Sequence, residues 1–374
     1  MSNSTARAGR LFVGFAIIIL ILLSSCGKKP VVLGFLGGVS GRFSDLGISG
    51  RNGAQLAIEL RNASGGIEGR QVQLALADDQ QEPDAAIRAF KKLEEAGAVA
   101  IIGPMTSDMA LAVKPFADKS KLLLISPTAS SPALSDLDDW FIRVNPVDVS
   151  EGRDLARYIQ AEGALSLFIY YDLNNKNFSE GTEKTLRNAL EGSGISIVSL
   201  PFNSKESSNY SAFIQNSLEK QGTPDAVVVV ASSVDAALIC QLLRKDGFKG
   251  SLYGTGWSMT DDFIRLSGSA GEGLIFSHYF DRNSASPRWR EFSEQYKGRF
   301  GVEPDFIAGL GANAAIVAME GLLAQRPGTT LKDTIISMRN FEGLQGSLSF
   351  DSYGECDLER FKFRIKDGQL VVDE

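Results

Sequence analysis

Two stretches of the chain carry hydroxyl groups at spacings suited to holding an anion. In IIGPMTSDMA (101–110), Thr106 or Ser107 falls where a helix would begin, and in ISPTASSPAL (125–134) Thr128, Ser130 and Ser131 fall in a tight turn with exposed amides. A cap hydroxyl ordinarily serves its own helix's free N–H groups. The same free N–H groups form an anion site when a carboxylate arrives from outside. Two such turns at successive strand ends of one sheet point to a carboxylate site. A third stretch, GGVSGRFSDLG (37–47), matches neither common phosphate-cradling pattern, and reads as a pocket wall or as a plain strand-to-helix connection.

Other chemistries find little support. His278 is the single histidine of 374 residues, which leaves no His pair for zinc and no choice of base for a serine nucleophile. The acid pairs Asp78-Asp79 and Asp261-Asp262 lie near strand ends, but adjacent residues on a strand or helix point apart, so they read as solvated turn acids. No metal or cofactor is expected. The formal net charge is −7, without a basic block, which argues against nucleic acid as a partner.

Positioning these turns falls to a repeated pattern of short apolar strands and amphipathic helices. VVLGFLG (31–37), QVQLALAD (71–78), AVAIIG (98–103) and LLLIS (122–126) alternate with helices at 46–64, 83–96 and 107–119. Strands apolar on both faces and separated by such helices indicate βαβ units in a parallel sheet. After a Ser/Pro/Asp loop (127–139) and WFIRV (140–144), a second series runs from helix 148–162 through LSLFIYY (165–171), ISIVSLPF (195–202), DAVVVV (225–230) and SLYG (251–254), with helices between. GLIFSHYF (273–280), helices near 287–300, 305–325 and 330–338, and strands SLSF (347–350) and FKFRI (361–365) follow. The expected fold class is α/β, with two doubly wound parallel-sheet lobes and a chain that crosses between them more than once. In such folds ligands bind at the carboxyl ends of the strands, so the interlobe cleft is where to look.

The N-terminus reads as an export signal. Arg7 and Arg10 precede an apolar run from Leu11 to Leu23, too short to span a bilayer comfortably. Leu23-Ser24-Ser25-Cys26 resembles a bacterial lipobox, in which the cysteine carries lipid and starts the mature chain; the alternative is an ordinary signal or an uncleaved anchor. Residues 1–25 are then the signal, 26–30 a lipidated tether, and the rest works outside the cytoplasm at a membrane surface. Loss of the two arginines takes the mature charge to −9. Cys240 and Cys356 remain, either bridged in that oxidising compartment or as two buried free thiols.

The blocks SGRFSDLG, NASGGIEGRQVQLALADDQ, IIGPMTS, ISPTASSPAL, FIRVNPVDVSEGRDLARYI, FSEGTEKTLRNAL and LLRKDGFKGSLYGTGW are together similar, in order and spacing, to type I periplasmic solute-binding proteins of the leucine/isoleucine/valine-binding kind. The resemblance implies a ligand-capturing subunit of an ATP-driven importer, with a membrane permease and ATPase as partners and a small solute, most often an amino acid, as ligand. It implies three segments crossing between lobe one (31–146 plus 278–355) and lobe two (147–277 plus 356–374). Carried over by position, the carboxylate-binding hydroxyls fall on Ser107 and Ser130, with Thr128 and Ala129 beside them, Thr128 through its backbone. The lobe-two aromatic wall falls on Phe178 and the first-loop aromatic on Leu46.

The chain also departs from the family. Amino-acid binders often hold the ligand ammonium with an acid after the strand equivalent to SLYG, where this chain reads Thr255-Gly256-Trp257. A buried ammonium without a counter-charge costs several kcal/mol. Either a shifted acid such as Asp235, Asp261 or Asp262 supplies it, or the ligand has no ammonium and Trp257 and Phe178 clasp an aromatic or aliphatic carboxylate. A cation over Trp257 is a further option. Gly311-Ala312-Asn313 also stands where many relatives have Tyr-Asp-Ala. The competing readings are a sensory lipoprotein with the same closing cleft and, more remotely, an envelope enzyme.

Overall fold

The computed structural model describes residues 28–41, 44–147, 149–206 and 209–373. The signal, the lipobox and Cys26 lie outside the described residues. Strands β1 (Val31–Gly37), β2 (Val72–Asp78), β3 (Ala100–Ile102), β4 (Leu123–Ser126) and β5 (Phe141–Arg143) form one sheet in the order β2-β1-β3-β4-β5, parallel throughout. Helices α1 (Asp45–Ala63), α2 (Pro83–Glu95) and α3 (Ser107–Ser120) connect the first four. Covered on both faces, β3 and β4 are wholly buried, as their unbroken apolar runs require.

The second lobe repeats the order. Helix α4 (Val149–Ala161) leads into β6 (Ser166–Asp172), α5 (Lys176–Ala189), β7 (Ser196–Phe202), α6 (Tyr210–Gln221), β8 (Ala226–Val230), α7 (Ser233–Lys245) and β9 (Ser251–Gly254). A short α8 (Asp261–Ser267) precedes β10 (Ile275–His278). The five strands run parallel as β10-β9-β8-β6-β7, the same winding as the first sheet. This sheet is mixed: β13 (Phe361–Lys366) and β14 (Gln369–Val372) add to it as an antiparallel hairpin beyond β10.

Between these, α9 (Pro287–Phe300), α10 (Phe306–Ala324), α11 (Leu331–Met338) and a small hairpin of β11 (Asn340–Glu342) and β12 (Ser347–Ser349) return to the first lobe. The chain thus passes between sheets three times, after β5, after β10 and before β13. β10 closes on His278, one residue beyond the expected lobe boundary at 277. Apolar on nearly every face, α10 packs against α1 at close range. A Cβ at Gly53 would lie 1.9 Å from the Ala308 carbonyl oxygen, and one at Gly311 2.1 Å from that of Gly50, so only glycine permits this approach. The Gly311-Ala312-Asn313 departure therefore serves packing: Gly311 admits α1, and Asn313 Oδ1 accepts the Leu344 N–H at 2.9 Å, away from the interlobe cavity. Cys240 and Cys356 are separate buried thiols, and burial pushes both up to about 12.

Candidate functional site

The carboxyl ends of the parallel strands of both sheets face each other across a cavity whose space between atoms is ≈ 540 Å³. Leu46, Ser107, Thr128, Ser130, Phe178 and Trp257, all singled out from sequence, line it together. Ala129 does not: its N–H donates to Ser126 Oγ at 3.0 Å, and its methyl packs in the lobe-one core with Met109 and Leu134.

The lobe-one wall is polar. Thr106 is the residue at the start of α3, and its hydroxyl makes no cap bond, so the helix N-terminus opens toward the cavity. Ser107 Oγ accepts the N–H groups of Ser130 (3.3 Å) and Ser131 (3.1 Å), binding the two hydroxyl-bearing turns into one unit. The Thr128 hydroxyl donates to the Met105 carbonyl, and its own carbonyl accepts from Asn145 Nδ2 at 3.1 Å. Beneath this wall the fully buried Arg143 forks onto Glu355 (Nε–Oε2 2.6 Å, Nη2–Oε1 2.8 Å) and donates to the Ser131 carbonyl at 3.0 Å.

The lobe-two wall is aromatic. Phe178, from the first turn of α5, meets Trp257 edge-on with ring centroids 5.7 Å apart. Tyr279 and Phe306 extend this surface, with His278 between them. Burial, with Arg360 nearby, holds the His278 pKa well below the usual imidazole value, so the ring is neutral. Its Nδ1 accepts the Phe280 N–H at 3.1 Å, which puts the proton on Nε2.

None of the acids suggested as a counter-charge reaches the cavity. Asp235 is buried elsewhere, accepting from the Tyr210 (2.7 Å) and Ser232 (2.8 Å) hydroxyls. Asp261 pairs with Arg282 at 2.7 Å and Asp262 with Arg265 at 2.8 Å, both toward solvent. Among the described residues, the carboxylate that lines the cavity is Glu151, in the first turn of α4, whose Oε1 accepts the Gly256 N–H at 2.7 Å. Arg360, just before β13, faces it at 3.4 Å. Sequence reading missed both. The signal open to it was an acid pair, Glu151 and Asp154, three apart on one helix face directly after a crossing segment, beside a loop that lacks its expected acid.

The lobes meet through reciprocal bonds at the cavity's rim. Asn175, preceding α5, accepts the Asp108 N–H of α3 on its Oδ1 at 3.3 Å. Asp108 in return accepts the Lys176 (3.2 Å) and Asn177 (3.0 Å) N–H groups at the start of α5, and the Ser131 hydroxyl donates to the Asn177 carbonyl at 2.8 Å. Each lobe caps a helix of the other. Ser233 donates to Asp45 at 2.9 Å, and Lys205 reaches the Gln81 carbonyl at 2.9 Å.

Two doubly wound lobes, joined by three crossings and closed on one lined cavity, define the class of two-lobed binding proteins. A periplasmic binding protein family profile matches residues 30–370, and the chain belongs to that family. Among its relatives, the leucine-, isoleucine-, valine-, threonine- and alanine-binding protein of Pseudomonas aeruginosa is 23% identical over 98% of this chain and 96% of its own length. A Leu/Ile/Val-binding protein homolog of Brucella melitensis is 21% identical over 97% and 98%. The fold matches that of the branched-chain amino acid transporter substrate-binding protein of Streptococcus pneumoniae in complex with isoleucine (TM-score 0.84, 24% identity, 91% of this chain and 98% of that one). It also matches a Rhodopseudomonas palustris solute-binding protein in complex with benzoate (TM-score 0.81, 18% identity, 92% and 95%).

Proposed function

We propose that the chain is the lipid-anchored solute-binding subunit of an ABC importer, tethered through Cys26 and facing the periplasm or exterior, which captures a small carboxylate between closing lobes and delivers it to a membrane permease and its ATPase. The ligand class is a branched-chain, hydrophobic or aromatic amino acid. The observation that carries this reading is the pairing of Ser107, Ser130 and the α3 N-terminus with an aromatic wall of Phe178 and Trp257 across one cavity. The amide-rich end suits a carboxylate, and the aromatic wall suits an apolar side chain. The edge-on Phe178–Trp257 pair favours a second reading, an ammonium-free aromatic carboxylate on the same wall.

A thermal-shift screen of the mature domain, unfolded and refolded to strip ligand, tests this. At a hundredfold excess over Kd, a true ligand adds ~2.7 kcal/mol. Leucine, valine or phenylalanine is expected to raise Tm by about 4 °C. Stabilisation by none of these and none of their deaminated analogues sinks the importer reading.

A further inference from the structure

The crossing-segment end of the cavity carries polar groups that the hydroxyl and aromatic walls do not use. Glu151 is only 3% exposed and is docked on the loop after β9 through the Gly256 N–H, the very loop that lacks an acid of its own. A carboxylate offers about four lone-pair positions, so it can take a ligand donor beside this amide. Arg360 stands behind it and is itself held from the protein side. Its Nε donates to Ser277 Oγ at 3.0 Å, its Nη2 to the Ser277 carbonyl at 2.5 Å, and its guanidinium lies over the Tyr279 ring. Those bonds, with a 3.5 Å contact to Asp154, engage its Nε and Nη2 on the protein side, while the guanidinium borders the cavity 3.4 Å from Glu151.

Asn145 supplies an independent observation. It lines the cavity, is 3% exposed, and its Nδ2 donates to the Thr128 and Pro146 carbonyls at 3.1 and 3.4 Å. Two carbonyl partners demand the NH₂ at that end, which fixes the amide's orientation. The other end, Oδ1, is buried with no hydrogen-bond partner. A buried acceptor left unmade costs free energy until a donor arrives. A carboxylate on the α4 side and an unpartnered amide oxygen beside the Thr128 turn border the same cavity as the amides and hydroxyls, so acceptors and donors are both present, as a zwitterion requires.

We infer that Glu151 supplies the counter-charge for a ligand ammonium, with Asn145 Oδ1 as a second acceptor and Arg360 as the residue that positions Glu151. This rests on the solute-binding reading and selects, within it, an α-amino acid over an ammonium-free acid. The specificity that relatives place after the strand equivalent to β9 is thus moved onto α4, and Trp257 is released to serve as wall.

Titration calorimetry on the mature chain with leucine and phenylalanine, and with 4-methylpentanoate and 3-phenylpropanoate as their ammonium-free counterparts, tests the assignment. Wild type is expected to bind an amino acid at least a hundredfold more tightly than its counterpart. Glu151→Gln keeps an acceptor for Gly256 and is expected to lose most of that ratio while binding the ammonium-free acid within about threefold of wild type. Glu151→Asp, which restores the charge, should recover part of the ratio. A loss shared equally by both ligands marks a structural role and overturns the inference, as does an unchanged ratio in Glu151→Gln. Tighter binding of the ammonium-free acids by wild type overturns it while leaving the solute-binding reading intact. Binding of none of the four probes removes the amino-acid reading and this assignment with it.

Discussion

Two arginine–glutamate pairs tie crossing segments to the body of the molecule, and they are built differently. Arg143 and Glu355 meet through two parallel bonds of 2.6 and 2.8 Å, with the arginine wholly buried and its remaining donors spent on Ser131, Ala129 and Ser135. Arg360 and Glu151 approach to 3.4 Å beside a cavity, and the glutamate's shorter bond goes to a backbone amide. A saturated fork fixes the turn that carries Ser130. A loose pair leaves its carboxylate able to take another donor. The same two residue types therefore frame the site in one place and address the ligand in the other.

Replacing the arginines separates the two roles. Arg143→Met leaves the Glu355 carboxylate without its fork in a poorly solvated place. Breaking a buried pair in this way costs about 3–5 kcal/mol, which for a chain of this size lowers Tm by roughly 4–7 °C. Arg360→Met leaves Glu151, as buried as Glu355, its 2.7 Å Gly256 bond, and is expected to cost about 1.5–3 kcal/mol. Differential scanning calorimetry of both variants reads this directly. Equal losses would erase the distinction between frame and ligand-facing pair.

What sequence made legible follows the same division. Ser107 and Ser130 were visible because each lies in a local turn at a strand end, where a few adjacent residues specify both conformation and exposed amides. The β/α alternation was visible because strands buried on both faces are apolar without interruption. Glu151 and Arg360 were not, since each is one charge among many and their meeting depends on three crossings converging from positions 151, 256 and 360. Asp235 illustrates the converse error. Its position at the start of α7, after a strand end, suggested a cleft acid, but the hydroxyls of Tyr210 and Ser232 hold it inside lobe two. The β13–β14 hairpin left a usable trace in Lys366-Asp367-Gly368-Gln369, where Asp-Gly between alternating runs marks a two-residue turn.

Between frame and ligand lies the rim, where the lobes exchange helix caps. Asp108→Ala removes the acceptor for two α5 N–H groups and touches neither arginine pair. Loss of a cap costs about 1 kcal/mol, and here the carboxylate serves two N–H groups and the Asn177 Nδ2, so the closed form should lose about 1–2 kcal/mol. Affinity for whichever amino acid binds should fall roughly five- to thirtyfold by calorimetry, chiefly through faster dissociation. Fold stability without ligand should change less. An unaltered Kd would show that the reciprocal caps do not contribute to closure.

A third carboxylate sharpens the comparison because it has no arginine at all. Asp79 follows β2, is 1% exposed, and accepts the Gln81 N–H at 2.8 Å. Burial raises its pKa to about 6, opposed by that amide and by Lys205 arriving from the other lobe. With its native value above the unfolded 3.8, the folded chain binds the proton more tightly, so stability rises as pH falls from above 6 toward 4. Between pH 7.5 and 5 this side chain should add about 1 kcal/mol, roughly 2 °C in Tm. Asp79→Asn should remove that increment while leaving every other slope of the Tm profile in place. Burial raises Glu355 as well, against the pull of its Arg143 fork, whereas at Asp79 burial and the neighbouring Asp78 charge are opposed only by one amide and by Lys205. A wild-type profile no steeper than that of Asp79→Asn across this window would show that Lys205 or water holds Asp79 ionised after all.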